Sequence, residues 1–140
     1  MHSQSVSVLI EQSFDQVYGF LVDPLNFPSW GPVADVDIQY IGGLDWLVDQ
    51  RRHTVIRFTE PNIYGVLDFS TFQEGGPLQA PTPVRVTANG DAAELTALWR
   101  QKPGVSDVHF ASEIVLIEHY FDKLKILLEA DPEPDTNAES

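Results

Sequence analysis

The start of the chain changes from an alternating pattern of hydrophobic and polar residues to a helical one. Residues 4–10 alternate, with Val6, Val8 and Ile10 on one face, which predicts a first β-strand. Ser13 is a suitable N-cap for a short helix that ends before Pro24. Residues 24–32 are rich in Pro and Gly and therefore predict only one further short helical turn.

Alternation returns from Asp35 onward and predicts six more short strands. Their sequences are DVDIQYI, WLVDQ, HTVIRFT, YGVLDFSTF, PVRVTAN and AELTALWR. Asn89-Gly90 is the clearest turn between them, because both residues tolerate the positive φ angles of a tight hairpin. No crossover helix separates the strands, so we expect them to pair in antiparallel fashion.

A long amphipathic helix is predicted from Ser106, its N-cap, to about Glu129. Its apolar stripe recurs at spacings of three and four residues: Phe110, Ile114, Ile117, Phe121, Leu124 and Leu128. A second apolar row lies opposite this stripe: Val108, Val115 and Ile126. The patterns together predict an α+β fold with a seven-stranded curved antiparallel sheet, two short N-terminal helices and a long C-terminal helix.

The composition narrows the expected partners and chemistry. The 140 residues are one domain's worth of chain, and they include 21 acidic against 8 basic residues, giving a formal net charge of −13. Because Lys and Arg are needed to displace the counterions of phosphate groups, we expect no nucleic acid and no membrane as partner. The chain has no cysteine, which excludes disulfides and thiolate ligands.

The two ends of the sequence suggest how the domain is bounded. The N-terminal residues show no signal-peptide pattern, and no apolar run approaches the roughly 18 residues of a membrane helix, so we expect a cytoplasmic protein. The folded domain is predicted to span residues 1–130. Residues 131–140 are acidic and contain proline, which predicts a disordered tail.

Four segments resemble the polyketide cyclase/dehydrase-like branch of the START-like, or SRPBCC, superfamily. They are FDQVYGFLVDPLNFPSW, IRFTEPNIYGVLDF, VRVTANGD and VSDVHFASEIVLIEHYFDKLKILLE, and they begin at Phe14, Ile56, Val84 and Val105. The resemblance implies the helix-grip fold, with a deep apolar cavity between the sheet and the long helix. In this branch the segment matching GVLDF often ends in His, whereas here it ends in Phe69, which weakens an enzymatic interpretation.

Seven residues are candidates for the walls of such a cavity. They are Trp30, Phe58, Phe69, Trp99, Glu113, Ile117 and Phe121, with Trp30 expected near the mouth. The aromatic residues either line a pocket or simply fill the core. Glu113 borders the apolar stripe, where its carboxylate either serves as an acid or polar anchor or stays in water.

Arg57, Asp68 and Arg85 form a second candidate group. A hairpin register that places Val66 opposite Arg57 makes Arg57 and Asp68 diagonal neighbours on one face, and Arg85 lies on the next strand. The group is then either an anion clamp for a ligand or a surface ion-pair cluster on the outer face. The opposite face of the hairpin is the more apolar one, which favours the surface interpretation.

No motif in the sequence points to a metal or a cofactor. The four histidines lack the spacing and the third ligand of a zinc site. Neither a G-x-S-x-G nucleophile turn nor a Gly-rich phosphate loop is present. We therefore expect neither a metal nor a cofactor.

Three functions fit these observations. The first is a binding protein that holds a small hydrophobic or amphipathic ligand between the sheet and the C-terminal helix. The second is a cyclase/dehydratase-like enzyme in which Glu113 or Asp68 moves a proton on a polyketide-like substrate. The third is an interaction module with a vestigial cavity that forms a homodimer through the outer row of the long helix.

Overall fold

The computed structural model describes residues 1–31 and 38–130. In chain order the elements are β1 (Ser3–Ile10), α1 (Phe14–Leu21), a 3-10 helix (Pro24–Ser29), β2 (Gln39–Gly42), β3 (Asp45–Asp49), β4 (Thr54–Phe58), β5 (Phe69–Gln73), β6 (Val84–Asn89), β7 (Ala92–Arg100) and α2 (Asp107–Glu129). This order confirms the predicted sequence of strand, two short helices, six strands and long helix. The first residues of the predicted second strand and the predicted tail lie outside the described residues.

The seven strands form two antiparallel sheets, so the prediction of a single seven-stranded sheet is wrong. One sheet has the order β1-β7-β6 and the other the order β2-β3-β4-β5. Two isolated bridges, Val66 with Arg85 and Phe69 with Thr82, are the link between β5 and β6 in the described chain. Residues 77–83 contain three prolines, which lack the N–H donor that a continuous ladder needs.

The core lies on one face of the three-stranded sheet, which we call the inner face; the opposite face is the outer face. Val86 of β6 lies opposite Leu95 of β7, and both side chains are almost fully buried on this face. α1 packs beside β6 and α2 packs along β1. The buried residues of this core are Val6, Ile10, Val17, Val86, Ala93, Leu95, Ala97, Phe110, Ile114, Phe121 and Leu124.

α1 and α2 begin where the sequence predicts. The Ser13 hydroxyl accepts a hydrogen bond from the backbone N–H of Gln16, whose side chain returns to the Ser13 backbone in a capping box. The Ser106 hydroxyl accepts from the backbone N–H of His109 over 3.1 Å. These caps satisfy N–H groups that have no partner inside the helix.

α2 is tied to the strands at both of its ends. At its start, the buried side chain of Gln101 donates to the Val105 carbonyl over 2.7 Å and to the Asp107 carboxylate over 2.9 Å. Near its other end, Lys125 Nζ donates to the backbone carbonyl of Leu9 over 2.7 Å. The helix therefore runs across the inner face between two fixed points.

Candidate ligand-binding site

A row of aromatic residues crosses the inner face from one sheet to the other. The antiparallel register of β6 and β7 places Thr82 level with Trp99. Thr82 in turn bridges to Phe69, and Phe69 lies opposite Phe58. Trp99, Phe69 and Phe58 therefore follow one another across the join between the two sheets, all on the inner face.

A second row lies beside the first, within the four-stranded sheet. Trp46 pairs with Ile56, and Ile56 pairs with Thr71. The ring of Trp46 also meets that of Tyr40 edge-on, with 5.2 Å between centroids. We call the four large rings of the two rows the aromatic shelf: Trp46, Phe58, Phe69 and Trp99.

The rings of the aromatic shelf are only half-buried, although they lie on the inner face. α1 and α2 cover the part of the inner face that belongs to the three-stranded sheet. Among the described residues, the core cluster beneath the helices does not include Trp46, Phe58 or Phe69. The shelf is thus an inward-facing apolar surface that the two helices leave partly accessible.

Glu113 is the carboxylate that α2 brings to this surface. The indole Nε1 of Trp99 donates a hydrogen bond to Glu113 Oε1 over 3.2 Å. The second oxygen, Oε2, lies 3.6 Å from His109 Nε2, which is longer than a hydrogen bond. The indole thus orients the carboxylate through Oε1, and this geometry leaves Oε2 able to accept a further donor.

The other candidate wall residues belong to the covered part of the inner face. Trp30 is half-buried against the core and meets Phe27 edge-on at 5.2 Å. Ile117 is half-buried on the same core, and Phe121 is buried within it. The structure therefore places Phe58, Phe69 and Trp99 along one row and bonds Glu113 to the last of them. The other three candidates lie in the core or against it: Trp30, Ile117 and Phe121.

Arg57, Asp68 and Arg85 lie on the outer face, where they form two separate ion pairs. Arg57 donates from Nε over 2.6 Å and from Nη2 over 2.9 Å to the two oxygens of Asp45. This guanidinium lowers the pKa of Asp45, while burial opposes the shift. Asp68 accepts from Arg85 Nη1 and from the backbone N–H of Val84.

The predicted register of the β4–β5 hairpin is wrong. Ser70 lies opposite Arg57, where the sequence predicted Val66. The cause is Asn62, whose Oδ1 accepts the backbone N–H groups of Tyr64 over 2.9 Å and of Val66 over 3.1 Å. These bonds stabilise a longer loop between the strands instead of a tight turn.

Two residues of the site were not singled out from the sequence, Asp45 and Trp46. The signal was present, because alternation along β3 puts these neighbours on opposite faces. In the antiparallel β3–β4 pair, Asp45 falls opposite Arg57 and Trp46 opposite Ile56. A correct pairing of this hairpin from sequence would have found both residues.

Within residues 1–31 and 38–130, no three His, Asp or Glu side chains converge in a way that could hold a metal ion. The helices of the same ranges include none that is long and apolar enough to cross a membrane.

The chain is similar to several solved structures, although no family model and no curated protein matches it. DynU16, a protein from the dynemicin biosynthetic locus, is 20% identical with a TM-score of 0.66, and the match covers 91% of this chain. CalU16 from Micromonospora echinospora is 18% identical with a TM-score of 0.64, over 95% of this chain and 78% of that one. The Aha1 dimer from Colwellia psychrerythraea is 13% identical with a TM-score of 0.70, and the match covers 92% of this chain and 97% of that one.

The chain spans about half the length of DynU16, 47% of it. At these identities the comparisons show the fold alone. The chain therefore has the START-like, or SRPBCC, fold that the sequence predicts.

Proposed function

We propose that the protein binds a small, mostly apolar ligand between the aromatic shelf and α2. The proposal rests on one observation above all: four large rings face inward on two adjoining sheets and are still only half-buried. Apolar surface of this kind is normally covered on folding, because its exposure to water is unfavourable. An apolar ligand would complete that burial, and Glu113 would orient its polar end.

Binding can be tested with N-phenyl-1-naphthylamine, a neutral apolar probe whose fluorescence rises when it leaves water. Thr71 lies on the inner face opposite Ile56. Replacing it by Trp therefore adds a ring that fills the space between the shelf and α2, which the ligand would otherwise occupy. We expect this variant to bind the probe at least about ten-fold more weakly, the equivalent of 1.4 kcal/mol.

The matched control is Thr87→Trp, the same substitution on the exposed outer face of β6. It should leave the dissociation constant of the probe unchanged, while circular dichroism checks that both variants are folded. Equal binding by wild type and Thr71→Trp would refute the proposal. If the proposal survives this test, native mass spectrometry of protein purified from its own host would show which small molecule, if any, accompanies it.

An enzymatic form of this proposal would depend on Glu113. Asp68, the other candidate proton carrier, lies on the outer face and is held by Arg85. A cyclase/dehydratase-like reaction would thus use the Glu113 carboxylate beside Trp99. Turnover of a polyketide-like substrate by wild type, lost in Glu113→Gln with binding retained, would distinguish the enzyme from a carrier.

Homodimerisation through α2 is a second candidate function. The outer-row residues Val108, Val115 and Ile126 are 79%, 64% and 72% exposed. Val108 and Val115 also line an open hollow together with Ala111 and Ser112. Exposed apolar rows of this kind often mark a protein interface, and the similar Aha1 structure was solved as a dimer.

Sedimentation velocity over a series of protein concentrations tests this second candidate. A dimer that uses α2 should dissociate in Val115→Asp. It should persist in Ile63→Asp, which puts the same charge on an equally exposed aliphatic residue of the β4–β5 loop. A wild-type protein that sediments as a monomer throughout would rule this function out.

A further inference from the structure

We infer that the shelf selects ligands whose polar end is a neutral or cationic hydrogen-bond donor, a hydroxyl or an amine, and that it excludes anions. The inference rests on the proposed function and specifies the class of ligand. It follows from the chemistry of the charged groups around the aromatic shelf.

The charged group at the shelf is an acceptor. An ionised carboxylate accepts hydrogen bonds and donates none. Oε1 of Glu113 already accepts from the Trp99 indole, and Oε2 lies next to it at the edge of the shelf. A ligand hydroxyl or amine could donate to Oε2, whereas a ligand carboxylate or sulfonate would meet a like charge there.

Cations that could offset this repulsion are directed elsewhere. All eight Lys and Arg residues belong to the described part of the chain, and none of them stands on the shelf. Arg57 and Arg85 are paired on the outer face, and Arg100 donates to the Pro81 carbonyl. The β3–β4 turn exposes Arg51 and Arg52, and Lys102 and Lys123 are exposed after β7 and on α2. Lys125 donates to the carbonyl of Leu9 in β1.

The shelf lacks the Arg or Lys side chain by which proteins usually hold an anionic group in an apolar site. Carboxylates, sulfonates and phosphates are normally bound by a guanidinium or ammonium group through charge-assisted hydrogen bonds. Here the outer-face arginines already have their carboxylate partners, Asp45 and Asp68. The net charge of −13 adds a weaker repulsion that salt screens.

A pair of fluorescent probes with the same apolar body tests the inference. N-phenyl-1-naphthylamine is neutral and carries one N–H donor, and 8-anilino-1-naphthalenesulfonate adds a sulfonate to the same rings. The measured quantity is the ratio of their two dissociation constants, taken at about pH 8, above the ordinary pKa of histidine. We expect wild type to bind the sulfonate at least about ten-fold more weakly than the neutral probe.

Two variants separate the local effect of Glu113 from the overall charge. Glu113→Gln keeps an oxygen for the Trp99 indole and removes the charge, so the ratio should fall several-fold, toward about 1. Glu118→Gln removes the same charge from an exposed position on α2 and should leave the ratio as in wild type.

The outcomes of this test are distinct from those of the proposed function. Equal binding of the two probes by wild type, or a ratio that Glu113→Gln and Glu118→Gln change equally, would overturn the selectivity while the binding function stands. Probe binding that Thr71→Trp does not weaken would overturn the proposed function, and this inference with it.

Discussion

The indole of Trp99 donates a hydrogen bond to the carboxylate of Glu113, and this bond joins the last strand to the long helix. The two residues are 14 positions apart in the chain, near the end of β7 and in the second turn of α2. Both side chains are half-buried, so the bond is formed where water still has access. It therefore contributes to stability and fixes the orientation of a candidate ligand-binding group at once.

Replacing Trp99 by Phe should lower the free energy of unfolding by about 1 kcal/mol beyond the loss of ring area, because it removes the donor and keeps a ring. Urea denaturation of Trp99→Phe, of Glu113→Ala and of the double variant gives the coupling energy between the two side chains. A coupling energy of zero would show that the bond does not stabilise the protein.

The end of α2 should give the protein a measurable dependence on acid pH. Glu129 Oε2 accepts from Lys125 Nζ over 2.6 Å and from the backbone N–H of Glu11 over 2.7 Å. These two bonds lower the pKa of Glu129 from its ordinary value of 4.5, with burial opposing them. The stabilisation is therefore complete above the unfolded-state pKa and is lost as the pH falls through the lower, folded-state pKa.

Glu129→Gln should accordingly be less stable than wild type near neutral pH, by at most about 1 kcal/mol for a partly exposed pair. The difference should shrink as the pH falls below about 4. Urea denaturation across this range is the measurement. Asp122→Asn, which removes an exposed carboxylate from the same helix, is the control and should not reproduce the trend.

Gly65→Ala should destabilise the protein strongly, by about 3 kcal/mol or more. Gly65 is buried with a φ of 74°, and an added Cβ would collide with the carbonyl oxygen of Val86 and approach the Phe14 ring to 2.9 Å. Gly90 has a similar φ of 62° but open space around it, so Gly90→Ala should cost only about 1–2 kcal/mol. Thermal unfolding of the two variants separates the collision from the backbone strain, and equal losses would show that the collision is relieved.

The β4–β5 loop should depend on one side chain, that of Asn62. Besides its two acceptor bonds within the loop, Asn62 donates from Nδ2 to the carbonyls of Glu60 and Val66, each over 3.0 Å. Asn62→Ala removes all of these bonds, so hydrogen exchange of the loop amides should accelerate while that of β1 and β7 is unchanged. Uniform acceleration throughout the chain would instead indicate a loss of global stability.

Much of the fold could be predicted because its signals are local. The stripe from Phe110 to Leu128, with Ser106 before it, defines α2 without reference to the rest of the chain. Alternation likewise located the strands. The register of β4 with β5 depends on the side-chain bonds of Asn62, which alternation does not encode.

The candidate site was harder to predict because it depends on contacts between distant segments. Phe69 and Trp99 come together through the bridge at Thr82, which joins two sheets that the sequence did not separate. Glu113 was recognised at the border of the stripe, but its partner could not be chosen without the angle between α2 and β7. The outer-face position of Arg57 and Asp68 required the same long-range register.

The attachment of α2 at both ends bears on how fast a bound molecule could exchange. Lifting the helix as a hinged lid would break the bonds of Gln101 at one end or those of Lys125 at the other, together with adjacent core contacts. Such local unfolding is slow compared with the nanosecond-to-microsecond motions of loops. Residence times on the shelf would then be governed by the segments beside the helix, and mutations that loosen those segments would shorten them without altering the helix.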